Sequence, residues 1–317
     1  MAELLPRLRL FLITAVAGAA LTIACSGDDE EPVLEPAVIV ATSTPGVRPT
    51  SPPDASPTPP AQAQSRTAFR FGSGVAPEDR AYMQAGIDLA VDYMARAAGI
   101  DPVKSTLYAY PHPELLRIAL TDDIDNPLLI DAAVRRLAVI PAEAHLGGLI
   151  LVSPSTAEWQ ARSSVSRIRV VAHEYFHLVQ MQLLGHVAER IASTPVDRER
   201  PEGPSWLFEG SADWVSWQAL ESAELSSLDG YLASVTVPND VDIAGLETFI
   251  EYYHAGEDRA LLPLVAVDLL VRDDVRSLTR FYESVGRGLP WREAFSAAFG
   301  RPVPSFYAEL REELAGR

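Results

Sequence analysis

The run VVAHEYFHLVQ, residues 170–180, places His173 and His177 four apart around Glu174 in an otherwise apolar stretch. A helical turn advances 3.6 residues, so on a helix the two imidazoles stand one above the other on a single face. Two neutral imidazoles at that spacing can grip one metal ion, and the neighbouring carboxylate is then placed to act on water held by the same ion. The bland alternative is a buried helix whose histidines satisfy each other or backbone groups. The chain has only six histidines, and two within one turn of a glutamate make metal-assisted hydrolysis the first chemistry to consider.

A catalytic zinc site takes three protein ligands and keeps one position open, so the sequence must supply a third. In a second zinc-peptidase pattern a Gly and a His would follow the motif, but those positions hold Gln180 and Leu183. His186 comes after the expected helix end and suits a solvated histidine near the negative pole of the helix dipole. The segment WLFEGSADW offers Glu209 and, four residues on, Asp213. On a helix these carboxylates share a face. One can bind the ion while the other accepts a hydrogen bond from the far nitrogen of a ligating imidazole, fixing its tautomer. The chemistry alone leaves open which residue takes which part.

HEYFH followed by WLFEGSADW resembles the gluzincin metallopeptidases, the thermolysin-like clan, and most of all their bacterial peptidase MA-like branch, where a Trp-Leu-x-Glu-Gly-x-Ala segment follows the zinc helix. By order of elements the resemblance spans residues 67–317. It implies a zincin-like fold, one zinc ion bound by His173, His177 and Glu209, water activated by Glu174, and Asp213 as the outer hydrogen-bond partner. It further implies a downstream Tyr or His that steadies a developing oxyanion. EYYHAGEDR offers Tyr252, Tyr253 and His254 for this, with Tyr253 favoured. Substrate strands in this clan pair with an edge strand beside the zinc helix. LGGLILVSP is the natural choice for it, with a plain turn at Gly147 and Gly148 the equal alternative. The Gly-x-Met-Glu-Asn segment of the clan's aminopeptidases is absent, which favours an endopeptidase acting on peptide or protein substrates. The alternative is a catalytically inactive cell-surface binding protein that retains the fold.

The elements that must position these residues read as an α+β arrangement, with a small mixed sheet and helices (67–166) followed by the zinc helix and a mainly helical lobe (167–317). AFRFGSG, STLYAYP and LGGLILVSP read as strands. Met83, Ile87, Ala90 and Met94 recur at helical spacing between Pro77 and Gly99, and PELLRIAL suits a short helix. Arg167–Gly185 reads as one long buried helix, and SWLFEGSADWVSWQALESAEL as a second. LLPLVAVDLLV is too short to span a membrane and carries Pro263 and Asp268, so it reads as a core helix. Trp159, Trp206, Trp214 and Trp217 suit the core. His112 and His145 default to the surface.

Ahead of this domain, Arg7 and Arg9 precede an uncharged apolar stretch from Leu10 to Ala24, and Cys25, the only cysteine, follows a small residue. That order is a secretory leader, and LTIAC resembles the bacterial lipoprotein signal, with Thr22 where Leu is usual. The expectation is a signal peptide over 1–25, lipid on Cys25, and a domain held at the outer side of the membrane. Residues 26–66, rich in Pro, Ser and Thr, read as a disordered tether. A net charge of -17, without a basic patch, argues against a nucleic-acid partner.

Overall fold

The computed structural model describes residues 65–124, 127–138, 140–191, 200–236, 242–248, 257–271 and 274–316. Cys25, the leader, nearly all of the tether, and Tyr252, Tyr253 and His254 lie outside the described residues. Strand β1 (Thr67–Phe71), β2 (Ser105–Ala109), β3 (Ala142–His145) and β4 (Leu149–Val152) form one sheet in the order β1-β2-β4-β3. The first three neighbours run parallel, and β3 returns antiparallel to β4. Side chains alternate across such a sheet. Leu107, Ala109, Ile150 and Val152 therefore enter the main core, while Tyr108 and Leu151 face a smaller cluster on the other side.

That smaller cluster is closed by α2 (Pro113–Asp123) and α3 (Pro127–Arg136). The main core is closed by α1 (Pro77–Ala98), whose buried face carries Met83, Ile87, Ala90, Val91 and Met94. A proline in its first turn and Gly99 at φ 72° mark its ends. A short helix α4 (Ala157–Ala161) leads into α5 (Ser164–Leu184), the histidine-bearing helix. Helix α5 starts a turn earlier than the apolar pattern alone predicts, because Ser163 caps it by accepting a hydrogen bond from the Ser166 N–H at 3.2 Å. Buried Asp79 ties the start of α1 to this region, accepting from Trp159 Nε1 at 2.9 Å and Arg167 Nη1 at 3.0 Å. Gly86 lets the two helices touch, since a Cβ there would stand 2.6 Å from the Ile168 carbonyl oxygen.

Helices α6 (His186–Ile191), α7 (Ser205–Ser222), α8 (Leu228–Ser234), α9 (Glu257–Val271), α10 (Arg276–Gly286), α11 (Trp291–Phe299) and α12 (Val303–Ala315), with a 3-10 turn at Ile243–Leu246, make the second half. Helix α7 packs on α1, α5 and α9, and α10 closes on α5. Gly210 in α7 admits the Pro263 carbonyl of α9, which a Cβ would meet at 2.6 Å. The molecule is thus mixed α/β, a small four-stranded mixed sheet with mostly helices, and Leu262, Leu264, Val265 and Val267 of α9 are core residues. Among the described residues no helix is long and apolar enough to cross a membrane.

Two expectations are corrected here. Strand β4 is not an edge: it lies between β2 and β3, and the edge strand beside α5 is β3. Gly147 and Gly148, at φ 89° and 80°, make the β3–β4 turn. His145 is not at the surface but buried, because the alternation of β3 turns it with Glu143 away from α5 and toward α3. His112 is exposed, and Trp159, Trp206, Trp214 and Trp217 are buried, as the sequence predicts.

Candidate metal centre

Helix α5 presents Arg169, His173, His177 and Gln180 along one face at spacings of four, four and three. Helix α7 lies against that face and presents Phe208, Glu209 and Asp213. The two Nε2 atoms of His173 and His177 are 3.0 Å apart. Glu209 Oε2 lies 3.6 Å from the first and 3.4 Å from the second. Three ligands about 2.0–2.1 Å from a tetrahedral ion stand about 3.3–3.4 Å from one another. The observed edges bracket that value, so one small cation fits among these three atoms with no movement of either helix. Among the described residues this trio is the one His/Cys/Asp/Glu group that could hold a metal ion.

The far side of each imidazole is held as well. His173 Nδ1 donates to Asp213 Oδ1 at 2.9 Å, and the same oxygen accepts from Arg169 Nη1 at 3.2 Å. Arg169 in turn lies over the Trp217 ring, 5.1 Å from its centroid. His177 Nδ1 lies 2.6 Å from Gln180 Oε1, and its ring stacks on Phe208 with centroids 4.8 Å apart. With Nδ1 engaged as a donor, each imidazole in its neutral form carries its lone pair on Nε2. Two lone pairs and a carboxylate oxygen then face one another in a largely buried space. With both rings neutral such an arrangement repels itself unless a metal cation or a proton stands between.

The charges respond accordingly. Burial disfavours ionised Glu209, but the two imidazoles outweigh it and hold the carboxyl well below the usual carboxylate range. Asp213 is likewise held low: burial is outweighed by His173 and Arg169. Burial works against a charged His173, yet Asp213, Glu209 and Glu174 raise it well above the ordinary histidine range. Glu174 moves the other way. Burial raises it, the two histidines pull it down, and Glu209 and Glu143 push it up again, leaving a net upward shift. A carboxylate whose proton affinity is raised by burial, next in sequence to a candidate metal ligand, is suited to take and return a proton.

The structure therefore brings together four of the residues singled out by sequence, His173, His177, Glu209 and Asp213, with Glu174 on the same helix. The trio fits a metal ion; which ion is not encoded in the geometry. Arg169, which holds Asp213, Gln180, which holds His177, and Ser211 and Tyr282, each 2.9 Å from the Gln180 amide nitrogen, are additions to that set. For Arg169 a signal was present, since it sits four residues before His173. Comparison with known proteins finds no family model and no curated protein that matches the chain.

Proposed function

We propose that this protein is a zinc-dependent peptidase, of endopeptidase type, working outside the cytoplasm and tethered through lipid on Cys25. The observation that carries the proposal is the convergence of His173 Nε2, His177 Nε2 and Glu209 Oε2 at 3.0–3.6 Å, with Glu174 adjacent. The likeness of HEYFH and WLFEGSADW to the gluzincin pattern supports the same reading. A zinc ion held by the three ligands would supply Lewis acidity, polarising a carbonyl oxygen and acidifying water.

The chain's own residues do the rest. Asp213 and Gln180 keep the imidazole lone pairs aimed inward, and Arg169 keeps Asp213 ionised and in place. Glu174, with its raised affinity for protons, accepts one from the attacking water and delivers it to the departing amine. Phe208 and the surrounding core exclude bulk water from one side of His177, which strengthens every electrostatic contact inside.

The test is metal content by mass spectrometry and cleavage of an unstructured protein such as casein, on the full chain and its His173→Ala and Glu174→Gln forms. Near-stoichiometric zinc in the native chain and Glu174→Gln but not in His173→Ala, with cleavage by the native chain alone, is the expected result. Zinc without cleavage would favour a binding protein that keeps the site. Absence of zinc after reconstitution would return residues 170–180 to an ordinary core helix.

A further inference from the structure

His173 is oriented by a carboxylate, whose polarity is beyond doubt: it can only accept. His177 is oriented by an amide, which could present either its oxygen or its nitrogen, and the outcome decides whether His177 can bind anything. If the amide nitrogen faced the ring, Nδ1 would have to accept, the proton would move to Nε2, and the lone pair aimed at Glu209 and His173 would be lost. What fixes the amide lies deeper in the core. Gln180 is fully buried, and its Nε2 donates to the Phe208 carbonyl at 2.8 Å, with Ser211 Oγ and Tyr282 Oη each at 2.9 Å. The Phe208 carbonyl is an acceptor only, so the amide nitrogen must point to it and Oε1 must point to His177. The Tyr282 hydroxyl donates onward to the Leu207 carbonyl at 3.3 Å and lies 2.9 Å from Ser211 Oγ.

We propose that Gln180 is a positioning residue for the metal centre: it locks His177 with its proton on Nδ1 and its lone pair on Nε2, and Phe208, Ser211 and Tyr282 lock Gln180. The proposal rests on the metal-centre reading above and extends it to α10. That helix carries no ligand, yet through Tyr282 it sets the direction of an amide that sets a ligand's tautomer. The site thus draws on three helices, two that bear the ligands and one that holds the switchable group between them in a single state.

The test uses the full chain and three substitutions. Gln180→Met keeps size and removes the hydrogen bonds. Gln180→Glu keeps an acceptor toward His177. Tyr282→Phe removes the hydroxyl behind the amide. Two quantities are read: the histidine tautomers of the metal-free protein, from long-range proton–nitrogen correlation spectra, and the zinc dissociation constant, by competition with a chromophoric chelator. The native chain is expected to carry the His177 proton on Nδ1. Gln180→Met should lose that preference and weaken zinc binding about 10–100-fold, the usual cost of losing such an outer partner. Gln180→Glu should restore the Nδ1 proton and most of the affinity, and Tyr282→Phe should fall between.

Native zinc affinity and an unchanged tautomer in Gln180→Met would overturn the proposal. So would a Gln180→Glu chain that folds yet binds as weakly as Gln180→Met, since the loss would then follow packing and not the acceptor. Should Gln180→Met fail to fold, Tyr282→Phe and Gln180→Glu carry the same decision between them. A native chain that takes up no zinc is a separate failure: it sinks the metal reading itself, whatever the substitutions do.

Discussion

On β3, Glu143 meets Arg136 with both oxygens, at 2.6 and 3.2 Å, and shares one of them with His145. On α7, Glu209 turns one oxygen toward two imidazoles at 3.4 and 3.6 Å, and among the described residues no Lys or Arg pairs with it. Both carboxyls are held below their ordinary range against the effect of burial, Glu143 by His145 and Arg136, Glu209 by His177 and His173. The difference lies in where the positive charge comes from. The first cluster carries its own arginine, which ties the edge strand to the end of α3. In the second, Arg169 is spent on Asp213 behind the ring. Histidine beside a buried carboxylate is therefore not by itself a sign of a metal site; a convergence whose only positive charge is a proton that a metal ion can replace is a better one.

The sharpest way to break this comparison is to remove a histidine or carboxylate from each cluster and measure zinc retention. Glu209→Gln should weaken binding by more than about 100-fold, beyond the loss expected for an outer partner. His145→Ala should leave it unchanged. Equal losses from the two would mean that the α5–α7 cluster has no special standing. Next in size is Asp213→Asn, which keeps an acceptor for His173 Nδ1 but drops the charge. An affinity loss of about 10-fold is expected, at the lower end of the range for outer partners, measured by chelator competition. A loss as large as that of Glu209→Gln would assign Asp213 to the ion itself.

Glu143→Gln tests the other side. It should cost about 1–2 kcal/mol of unfolding free energy, read by urea titration, with no change in zinc affinity. The figure is kept small because Arg136 is more than half exposed and stays solvated when its partner is lost. Any loss of zinc there would mean that β3 transmits its position to α5.

The α5–α7 cluster was legible because its chemistry is local in sequence: HEYFH on one helix, Glu209 and Asp213 four apart on the next. Helix α1 was legible from Met83, Ile87, Ala90 and Met94, since apolar periodicity records a buried face. Strand β3 was not. AEAH offers two small residues toward the core and two polar ones toward α3, so its alternation is invisible to an apolar count. With β3 unseen, the glycines ahead of β4 pointed to it as the edge, and His145 was left at the surface. Gln180 was hidden for a related reason. A polar residue in an apolar helix looks like a departure from a motif, and only its contacts with Phe208, Ser211 and Tyr282, far away in the chain, give it a task.

Glu202 stands between the two clusters in kind, and it yields the smallest effect. It is buried just before α7, with Oε1 2.5 Å from Arg200 Nε and Oε2 without a hydrogen-bond partner among the described residues. Half of its charge is matched, as in the Glu143 cluster, and half is not. Its carboxyl is raised from 4.5 to about 7: burial is the main cause, Arg200 and a hydrogen bond from its own backbone N–H oppose it, and Glu209 adds to it. The folded state therefore keeps a proton that the unfolded chain has already released between about pH 4.5 and 7. This group's contribution to stability is greatest below that window and declines as pH rises through it, with the full penalty present above. Glutamine copies the protonated form and has no such slope. Melting curves of the native chain and Glu202→Gln from pH 4 to 8 should diverge in favour of the variant across the window and run parallel on either side. At pH 8 the difference should be on the order of 1 kcal/mol, because the relief of a buried charge is partly offset by the lost contact to Arg200. Parallel curves throughout would show that Arg200 alone satisfies this carboxylate, and would place Glu202 with Glu143 among the clusters that bring their own cation.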